Sequence, residues 1–369
     1  MFSDKKNIKG IYIHVPFCAV KCPYCDFYSR RYAKGMARKF IDAVCRNIEF
    51  FRSRNFTVDS IYFGGGTPSL LSPYEISCVI NKCRDVFKVT DDCEITVECN
   101  PLTMKYDRMK GYYDAGVNRI SVGVQSFDDT ELKILGRRHT AEKAISAIET
   151  AFKAGFGNIS CDLMTAFPNE EIQTLENNIK VISCLPIKHV SSYMLKIEEG
   201  TPFSKDENFI SSMPDDDTAA DIYLKTVELL EKYEFKQYEI SNFSKEGFQS
   251  RHNNKYWQCR EYIGIGPAAH SFIDGVRYMS EYDIDSFIKN EYQKNIITDE
   301  NAGSKEEKLM LQLRLTLGIS LEEYRFRDIE RIKRLEKSGL IKIDEHRLHL
   351  TADGFLVSNS VICEICESL

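Results

Sequence analysis

Six short apolar runs recur in the first half of the chain, and an amphipathic stretch separates each run from the next. The runs are GIYIHVPF, SIYFGGG, EITVECN, NRISVGVQSF, NISCDLM and HVSSYML. Near-continuous apolar runs are typical of strands buried on both faces of a parallel sheet. The intervening segments, such as ARKFIDAVCRNIEFF and PYEISCVINKCRDVF, predict helices, and Gly116 and Gly155 suit the left-handed residue that ends a helix. The pattern predicts an α/β fold, an incomplete (β/α)6-type barrel; an open doubly wound sheet is the competing architecture.

The pattern changes after about residue 200. DDDTAADIYLKTVELLEKYEF predicts one long helix, and KEEKLMLQLRLTLGISLEEY predicts another. The last stretch, RFRDIERIKRLEKSGLIKIDEHRLHLTADGFLVSN, follows the order helix, glycine, strand, polar turn, strand, helix, which is typical of a small winged-helix-like α+β unit. We therefore expect a partial barrel over residues 1–235, a connecting segment over 236–300 and a C-terminal domain over 301–369.

Composition and charge exclude several classes of protein. The formal net charge of -6 argues against broad nucleic-acid binding. The N-terminus is short and polar, and no run has the length of a signal peptide or a membrane span, so the sequence predicts a cytoplasmic protein. Most of the thirteen cysteines stand alone in apolar runs, where we expect them to be small buried hydrophobic residues. These are Cys45, Cys78, Cys83, Cys93, Cys99, Cys161 and Cys184.

Three cysteines are grouped like ligands in HVPFCAVKCPYCDFYSR, with the spacing Cys-x3-Cys-x2-Cys. Cys18, Cys22 and Cys25 are one ligand short of a closed zinc site. Cys22 and Cys25 alone have the spacing of a redox dithiol, but Cys18 is then unexplained. Three thiolates can also hold a [4Fe–4S] cluster whose fourth iron has no protein ligand and can bind a small molecule.

Polar residues follow the later predicted strands. Gly64, Gly65, Gly66 and Thr67 close the second run, and such glycines let backbone groups approach a ligand closely. Glu98 and Gln125 end the third and fourth runs, and Asp162 lies within the fifth. A charged side chain in an apolar strand is costly without partners, so each carboxylate needs either a ligand or an ion pair with an arginine such as Arg119 or Arg137.

The cysteine loop resembles the signature of the radical S-adenosylmethionine superfamily, in which an aromatic residue, here Tyr24, precedes the last cysteine. The resemblance implies a [4Fe–4S] cluster whose open iron binds the amino and carboxylate groups of S-adenosylmethionine. An electron from the cluster then cleaves the sulfonium and yields a 5′-deoxyadenosyl radical.

A longer series of segments is similar to the oxygen-independent coproporphyrinogen III oxidase group: YIHVPFCAVKCPYCDFYS, YFGGGTPSLL, VECNP, RISVGVQSF, LGRRH, DLM-x-AFP and EEGTPF. The match covers nearly the whole chain. It implies a binding site for S-adenosylmethionine. The residues that line this site are Tyr12, Tyr24, Gly65, Gly66, Thr67, Glu98, Gln125, Arg137 and Asp162.

Within that group the sequence departs from the oxidases and resembles the heme-chaperone branch. The oxidases have a further cysteine at the position of Phe27 and a long N-terminal extension, and only a few residues precede the first strand here. The chaperone branch has a His-Asn-x-x-Tyr-Trp motif, which stands here as HNNKYW. By this resemblance His252, Tyr256 and Trp257 contact heme; the alternative is a loop whose aromatic residues fill a core. His270 is a second candidate ligand.

The expected function is that of a heme chaperone, which carries a [4Fe–4S] cluster and S-adenosylmethionine and delivers heme to hemoproteins. Two alternatives stay open: an oxidase with coproporphyrinogen III dehydrogenase chemistry, and a radical enzyme that acts on heme. Expected partners are heme or a porphyrin, recipient hemoproteins and an electron donor. We expect no nucleic acid and at most peripheral membrane association, and a homodimer is an open alternative. Cys363 and Cys366 could bind an auxiliary metal, but a frayed terminus usually cannot hold one.

Overall fold

The computed structural model describes residues 8–369, and the expectation for the polar N-terminus concerns residues that lie mostly outside this range. Within it, the strands are β1 (Ile8–Val15), β2 (Phe17–Cys18), β3 (Arg30–Arg31), β4 (Thr57–Gly65), β5 (Lys88–Cys99), β6 (Arg119–Gln125), β7 (Ile159–Thr165), β8 (His189–Met194), β9 (Lys236–Glu239), β10 (Asn242–Ser244), β11 (Tyr262–Ile265), β12 (His270–Ile273), β13 (Val276–Ser280), β14 (Asn295–Asp299), β15 (Ile319–Ser320), β16 (Ile341–Ile343) and β17 (Arg347–Leu350).

The α-helices of the same range are α1 (Lys34–Glu49), α2 (Pro73–Val86), α3 (Tyr106–Asp114), α4 (Asp129–Ile134), α5 (Ala141–Lys153), α6 (Ile172–Cys184), α7 (Glu207–Ser211), α8 (Asp216–Lys232), α9 (Arg251–Trp257), α10 (Ile284–Lys289), α11 (Lys305–Gln312), α12 (Ile329–Lys337), α13 (Ala352–Leu356) and α14 (Ser358–Glu367). Each helix in this part of the chain is too short or too polar to cross a membrane.

The six predicted strands are β1, β4, β5, β6, β7 and β8, and they lie side by side in the order of the sequence. All five pairings between them are parallel. Because the order advances in one direction, the strands lack the reversal at the centre of a doubly wound sheet. The sheet ends at β14 and β9 and does not close, so it forms a partial barrel as predicted.

Apolar side chains from the sheet and from the helices that cover it form one continuous core. Two turns into the sheet depend on glycine, as the sequence predicts: Gly116 after α3 and Gly155 after α5 have φ values of +100° and +115°. Four of the seven isolated cysteines are buried as expected, and Cys45 and Cys78 are partly buried. Cys184 is exposed at the last turn of α6, contrary to the prediction.

Residues 236–300 extend both edges of the barrel sheet. β10 pairs antiparallel with β8, and β9 pairs with β10. At the opposite edge β11 pairs parallel with β1, and β12, β13 and β14 follow it in antiparallel order. In the sequence, α9 follows β10 and precedes β11, and it carries the HNNKYW motif. The motif lies next to β1 and β4, the first two strands of the barrel.

The C-terminal unit has a three-stranded sheet in the order β15, β17, β16, and helix α12, glycine, β16, β17 and α13 follow one another as predicted. The helix predicted over KEEKLMLQLRLTLGISLEEY is wrong in length, because α11 ends at Gln312. The amide of Thr316 donates instead to the carbonyl of Tyr238 at 3.1 Å. Gly318, with φ of +59°, then turns the chain into β15. Tertiary contacts to the barrel therefore override the helical pattern.

Candidate functional site

The cysteine loop leaves the carboxyl end of β1 and is closed on itself by backbone hydrogen bonds. The amide of Arg30 donates to the carbonyl of Pro16 at 2.7 Å, and that of Tyr32 donates to the carbonyl of Cys18 at 3.0 Å. The side chains of Cys18, Cys22 and Cys25 line one cavity of about 410 Å³ at the carboxyl edge of the parallel strands. We call it the cluster cavity. Active sites of βα barrels lie at this edge.

Polar groups from other strands reach the thiols. Arg137 Nη1 lies 3.2 Å from Cys22 Sγ, and Thr67 Oγ1 lies 3.7 Å from Cys18 Sγ. Burial raises the pKa of the Cys25 thiol. Among the described residues no group of His, Cys, Asp and Glu is arranged around a single metal ion. Three thiols that line one cavity can hold a [4Fe–4S] cluster, in which each thiolate binds a different iron.

The glycine turn after β4 forms the wall beside the loop. Gly65 has a φ of +103°, which L side chains rarely adopt. A Cβ atom on Gly66 would lie 2.6 Å from the carbonyl oxygen of Phe17, so only glycine allows the loop to pack this closely. The amide of Gly66 donates to the carbonyl of Val15 at 2.9 Å, and that of Thr67 donates to the carbonyl of Phe17 at 2.7 Å. The turn therefore fixes the cysteine loop to the end of β4.

Two partly buried carboxyl groups, those of Glu98 and Asp162, face the same cavity. Glu98 accepts hydrogen bonds from Tyr62 at 2.8 Å and from the amide of Gly65 at 3.1 Å. Burial, reinforced by Asp162, raises the pKa of Glu98 to about 7. Burial likewise raises the pKa of Asp162 to about 6, although Ser121 donates to it at 3.0 Å. Carboxyl groups that ionise reluctantly without a ligand favour one that brings positive charge.

Gln125 and Arg137 complete the wall at the end of β6. The pairing of β6 with β7 is irregular between Gly123 and Gln125, and Gln125 has a φ of +74°. Strained backbone of this kind is concentrated at functional sites. Arg137 donates to the carbonyl of Gly123 at 2.6 Å, and its Nε has no hydrogen-bond partner in the described part of the chain. A buried guanidinium with an unused donor fits an anionic group of a ligand.

The structure brings together most of the predicted site. The cluster cavity is lined by the three cysteines and by Tyr24, Gly65, Gly66, Thr67, Glu98, Gln125, Arg137 and Asp162. Tyr12 is the exception: it does not line this cavity, and its hydroxyl contacts His14 Nδ1 at 3.1 Å.

Several further residues of the cluster cavity were not predicted as ligand contacts, among them Arg119, Tyr193 and Asn253. Arg119 is 1% exposed, and its Nε and Nη1 have no hydrogen-bond partner among the described residues. Tyr193 lies near the end of β8, and Asn253 comes from α9. A charged or polar residue in a buried strand was the available signal for Arg119 and Tyr193; nothing in the sequence indicates that Asn253, rather than its neighbour His252, faces this cavity.

A second cavity of about 360 Å³ adjoins the first, and we call it the tyrosine cavity. Asp26 and Phe27, which follow the last cysteine of the loop, line both cavities. Phe27 is 59% exposed. The tyrosine cavity is lined by Tyr12, His14, Asp26, Phe27, Tyr28, Tyr256, Tyr262, Ala268, His270 and Tyr282. Its volume and its aromatic lining are typical of a small-molecule binding site.

The HNNKYW motif forms a short helix rather than a loop, and its members face different surroundings. Tyr256 lines the tyrosine cavity, whereas His252 and Trp257 line neither cavity. His252 is 1% exposed, and its ring nitrogens contact the hydroxyls of Ser60 at 3.0 Å and Tyr256 at 2.9 Å. Burial lowers the pKa of His252 to about 3, so the ring is neutral. In this conformation His252 offers no free nitrogen to an iron atom.

Family comparisons agree with this architecture. Residues 12–182 match the radical SAM superfamily, and residues 305–357 match the HemN C-terminal domain. Among solved structures, the coproporphyrinogen III oxidase HemN from Escherichia coli has a TM-score of 0.80, covering 99% of this chain and 90% of that one. The two sequences are 19% identical, so the likeness shows the shared fold: a partial barrel followed by a small C-terminal domain.

Curated relatives match along nearly the whole chain. A protein of Lactococcus lactis named heme chaperone HemW is 32% identical over 95% of each chain. The heme chaperone HemW of Bacillus subtilis is 32% identical over 96% of this chain and 98% of its own. A mitochondrial protein of Bos taurus, radical S-adenosyl methionine domain-containing protein 1, is 30% identical over 98% of this chain and 88% of its own.

Proposed function

Because the chain belongs to the HemW family of the radical SAM superfamily, we propose that it is a heme chaperone, which binds heme and delivers it to hemoproteins. Membership of the superfamily implies a [4Fe–4S] cluster and S-adenosylmethionine as cofactors. The observation that carries the proposal is the pair of adjoining cavities, one lined by the three thiols and the other by tyrosines and histidine. Such a pair can hold a cofactor and a flat cargo at the same time.

Cys18, Cys22 and Cys25 would hold the cluster through their thiolates. When bound, the cluster supplies an iron with an open coordination position and a source of one electron. The glycine turn offers a close approach to ligand atoms, and Glu98 and Asp162 offer negative charge to a cationic ligand. S-adenosylmethionine carries both an ammonium and a sulfonium. The proposed contacts to it are Tyr24, Gly65, Gly66, Thr67, Glu98, Gln125, Arg137 and Asp162.

The tyrosine cavity is the proposed place of the heme cargo. Its walls are aromatic faces, which pack well against a flat macrocycle, and Tyr256 contributes one of them from the HNNKYW helix. Of the residues that the structure describes, only Asp26 and Phe27 line both cavities. Cargo in this position would lie beside the cluster loop without occupying the cluster cavity. Exposed Phe27 and Tyr282 leave the cavity accessible from solvent, as release to a recipient protein requires.

Heme transfer tests the proposal. The cluster-loaded chain is saturated with hemin, separated from free hemin and mixed with an apo-cytochrome of the b type. We expect the Soret band to shift from that of the chaperone to that of the cytochrome. A chain that binds no hemin, or that never releases it, would contradict the proposal.

A second assay separates the chaperone from the oxidase. The same preparation is incubated with coproporphyrinogen III, S-adenosylmethionine and a reductant under anaerobic conditions. We expect the porphyrinogen to be recovered unchanged. Protoporphyrinogen in the products would show that the chain is an oxidase.

A further inference from the structure

The histidines around the two cavities differ in whether their nitrogens are free. Both ring nitrogens of His252 contact hydroxyl groups, as described above. Those of His14 contact the hydroxyl of Tyr12 at 3.1 Å and the carbonyl of Tyr28 at 2.9 Å. His270, at the start of β12, is exposed, and neither of its nitrogens hydrogen-bonds to another residue in the range 8–369. A ligand to iron needs an unshared nitrogen lone pair.

The backbone around His270 fixes its position. The hydroxyl of Ser271 accepts from the amide of Gly264 at 2.9 Å, which ties β12 to β11. A Cβ atom on Gly264 would lie only 1.9 Å from the carbonyl oxygen of His270, so the two strands approach closely and leave this end of β12 little freedom. The ring is thus carried by a strand of the main sheet rather than by a loop.

We propose that His270 is the axial ligand of the heme iron, and that the macrocycle lies in the tyrosine cavity against Tyr28 and Tyr282. This inference rests on the proposed heme binding and names its site. The rings of Tyr28 and Tyr282 have centroids 5.8 Å apart at an angle of 87°, so they form a corner at the cavity wall. Cys25 lies two residues before Phe27, which lines the same cavity.

The chemistry of ligation needs no proton transfer. The surrounding protein, which excludes part of the water around the ring, and the nearby Arg277 guanidinium lower the pKa of His270 below its ordinary value, so the imidazole is neutral near pH 7. One ring nitrogen then donates its lone pair to the iron, and the other keeps its hydrogen. No electron leaves the protein or the heme in this step.

Hemin titration of His270→Ala tests the assignment, with the full-length, cluster-loaded chain throughout. We expect hemin affinity to fall at least about tenfold, which corresponds to about 1.4 kcal/mol. The electron paramagnetic resonance signal of imidazole-bound ferric heme should disappear. Because His270 is exposed, the variant should fold normally, which far-ultraviolet circular dichroism checks. Free imidazole added to His270→Gly should restore the signal, since it can occupy the vacated position.

His346→Ala is the matched control. His346 is an exposed histidine on the turn between β16 and β17, and it belongs to the C-terminal unit rather than to the cavity wall. This variant should bind hemin with the affinity and the spectrum of the parent chain. Equal losses in both variants would show that surface histidines bind hemin non-specifically and would overturn the assignment.

The outcomes separate this inference from the proposed function. If the parent chain binds no hemin, both fail together. If the parent binds hemin and His270→Ala keeps the imidazole signal, His270 is not the ligand, while the proposed function stands. If the signal is lost in His270→Ala alone and imidazole restores it in His270→Gly, the assignment is supported.

Discussion

The cysteine loop and the HNNKYW helix both carry residues that commonly bind metals, but the surroundings of these residues differ. The thiols of Cys18, Cys22 and Cys25 line a cavity and are only partly buried. His252 is buried next to β1 and β4, with both ring nitrogens in hydrogen bonds. The first region keeps its binding capacity free for a ligand, and the second uses that capacity to hold the fold. Residue type alone does not distinguish the two; the surrounding contacts do.

The largest effect should come from the cysteine loop. Replacement of Cys18, Cys22 or Cys25 by alanine removes one of three thiolates, and the remaining two cannot hold a [4Fe–4S] cluster. We expect complete loss of iron–sulfur absorbance after anaerobic reconstitution. Cys184→Ala, which removes an exposed thiol on α6, is the control and should keep the full absorbance. A cluster that survives all three single replacements would show that the loop is not its site.

Replacement of His252 in the HNNKYW helix should lower the free energy of unfolding. His252→Ala leaves the hydroxyls of Ser60 and Tyr256 without their partner and opens a hole beside Tyr62, whose ring stacks on His252 at 5.2 Å. We expect a loss of about 2–4 kcal/mol in the free energy of unfolding, measured as a shift of the denaturant midpoint at constant slope.

The same measurement on His270→Ala is the comparison for that effect. His270 is exposed and has no hydrogen bond to another described residue, so its stability change should stay within about 0.5 kcal/mol. If His252→Ala were as stable as the parent chain, the structural role assigned to His252 would be wrong.

The cysteine loop and the cluster cavity could be predicted from the sequence, because the residues that identify them lie in short, recognisable segments. The three cysteines lie within eight residues, and Glu98, Gln125 and Asp162 belong to strands whose apolar pattern is plain. Parallel strands place their carboxyl ends at one edge, so recognising the strands was enough to assemble the cavity. The six βα units and the order of the C-terminal elements followed from the same periodicities.

The packing of the HNNKYW helix could not be predicted, because the helix contacts residues that are far from it in the sequence. Ser60 and His252 are 192 positions apart, and the sequence does not show that α9 packs on β4. The position of Tyr12 depends likewise on strand register, since neighbouring residues of a strand face opposite sides. Heme contact by His252 and Trp257 rested on the motif alone, and neither side chain lines the cluster cavity or the tyrosine cavity.

The pH dependence of S-adenosylmethionine binding tests the roles of the two carboxyl groups in the cluster cavity. In the ligand-free chain Glu98 and Asp162 keep protons up to about pH 7 and about pH 6, because they are buried. A cationic ligand needs their ionised forms, so the affinity for S-adenosylmethionine should rise with pH through this window and level off above it. Calorimetry in two buffers of different ionisation enthalpy should show proton release on binding near pH 6.5.

Glu98→Gln should bind S-adenosylmethionine about tenfold more weakly at pH 8 and should lose most of the pH dependence. The pH dependence of the free energy of unfolding is an independent test of the same carboxyl group. The folded chain holds protons that the unfolded chain has released, so the free energy of unfolding should fall as pH rises from about 4.5 to about 7. Glu98→Gln should reduce that slope. An unchanged pH profile for both properties would exclude Glu98 as the titrating group.

The smallest effect should come from Phe27, which stands between the two cavities. Its ring is mostly exposed, so Phe27→Ala should leave fold stability within about 0.5 kcal/mol. The ring lines both cavities, and its loss should weaken hemin and S-adenosylmethionine each by about threefold to tenfold. Tyr282→Ala is the matched control, because Tyr282 lines the tyrosine cavity alone and should weaken hemin only. If Phe27→Ala changed one affinity without the other, the two sites would not share this wall.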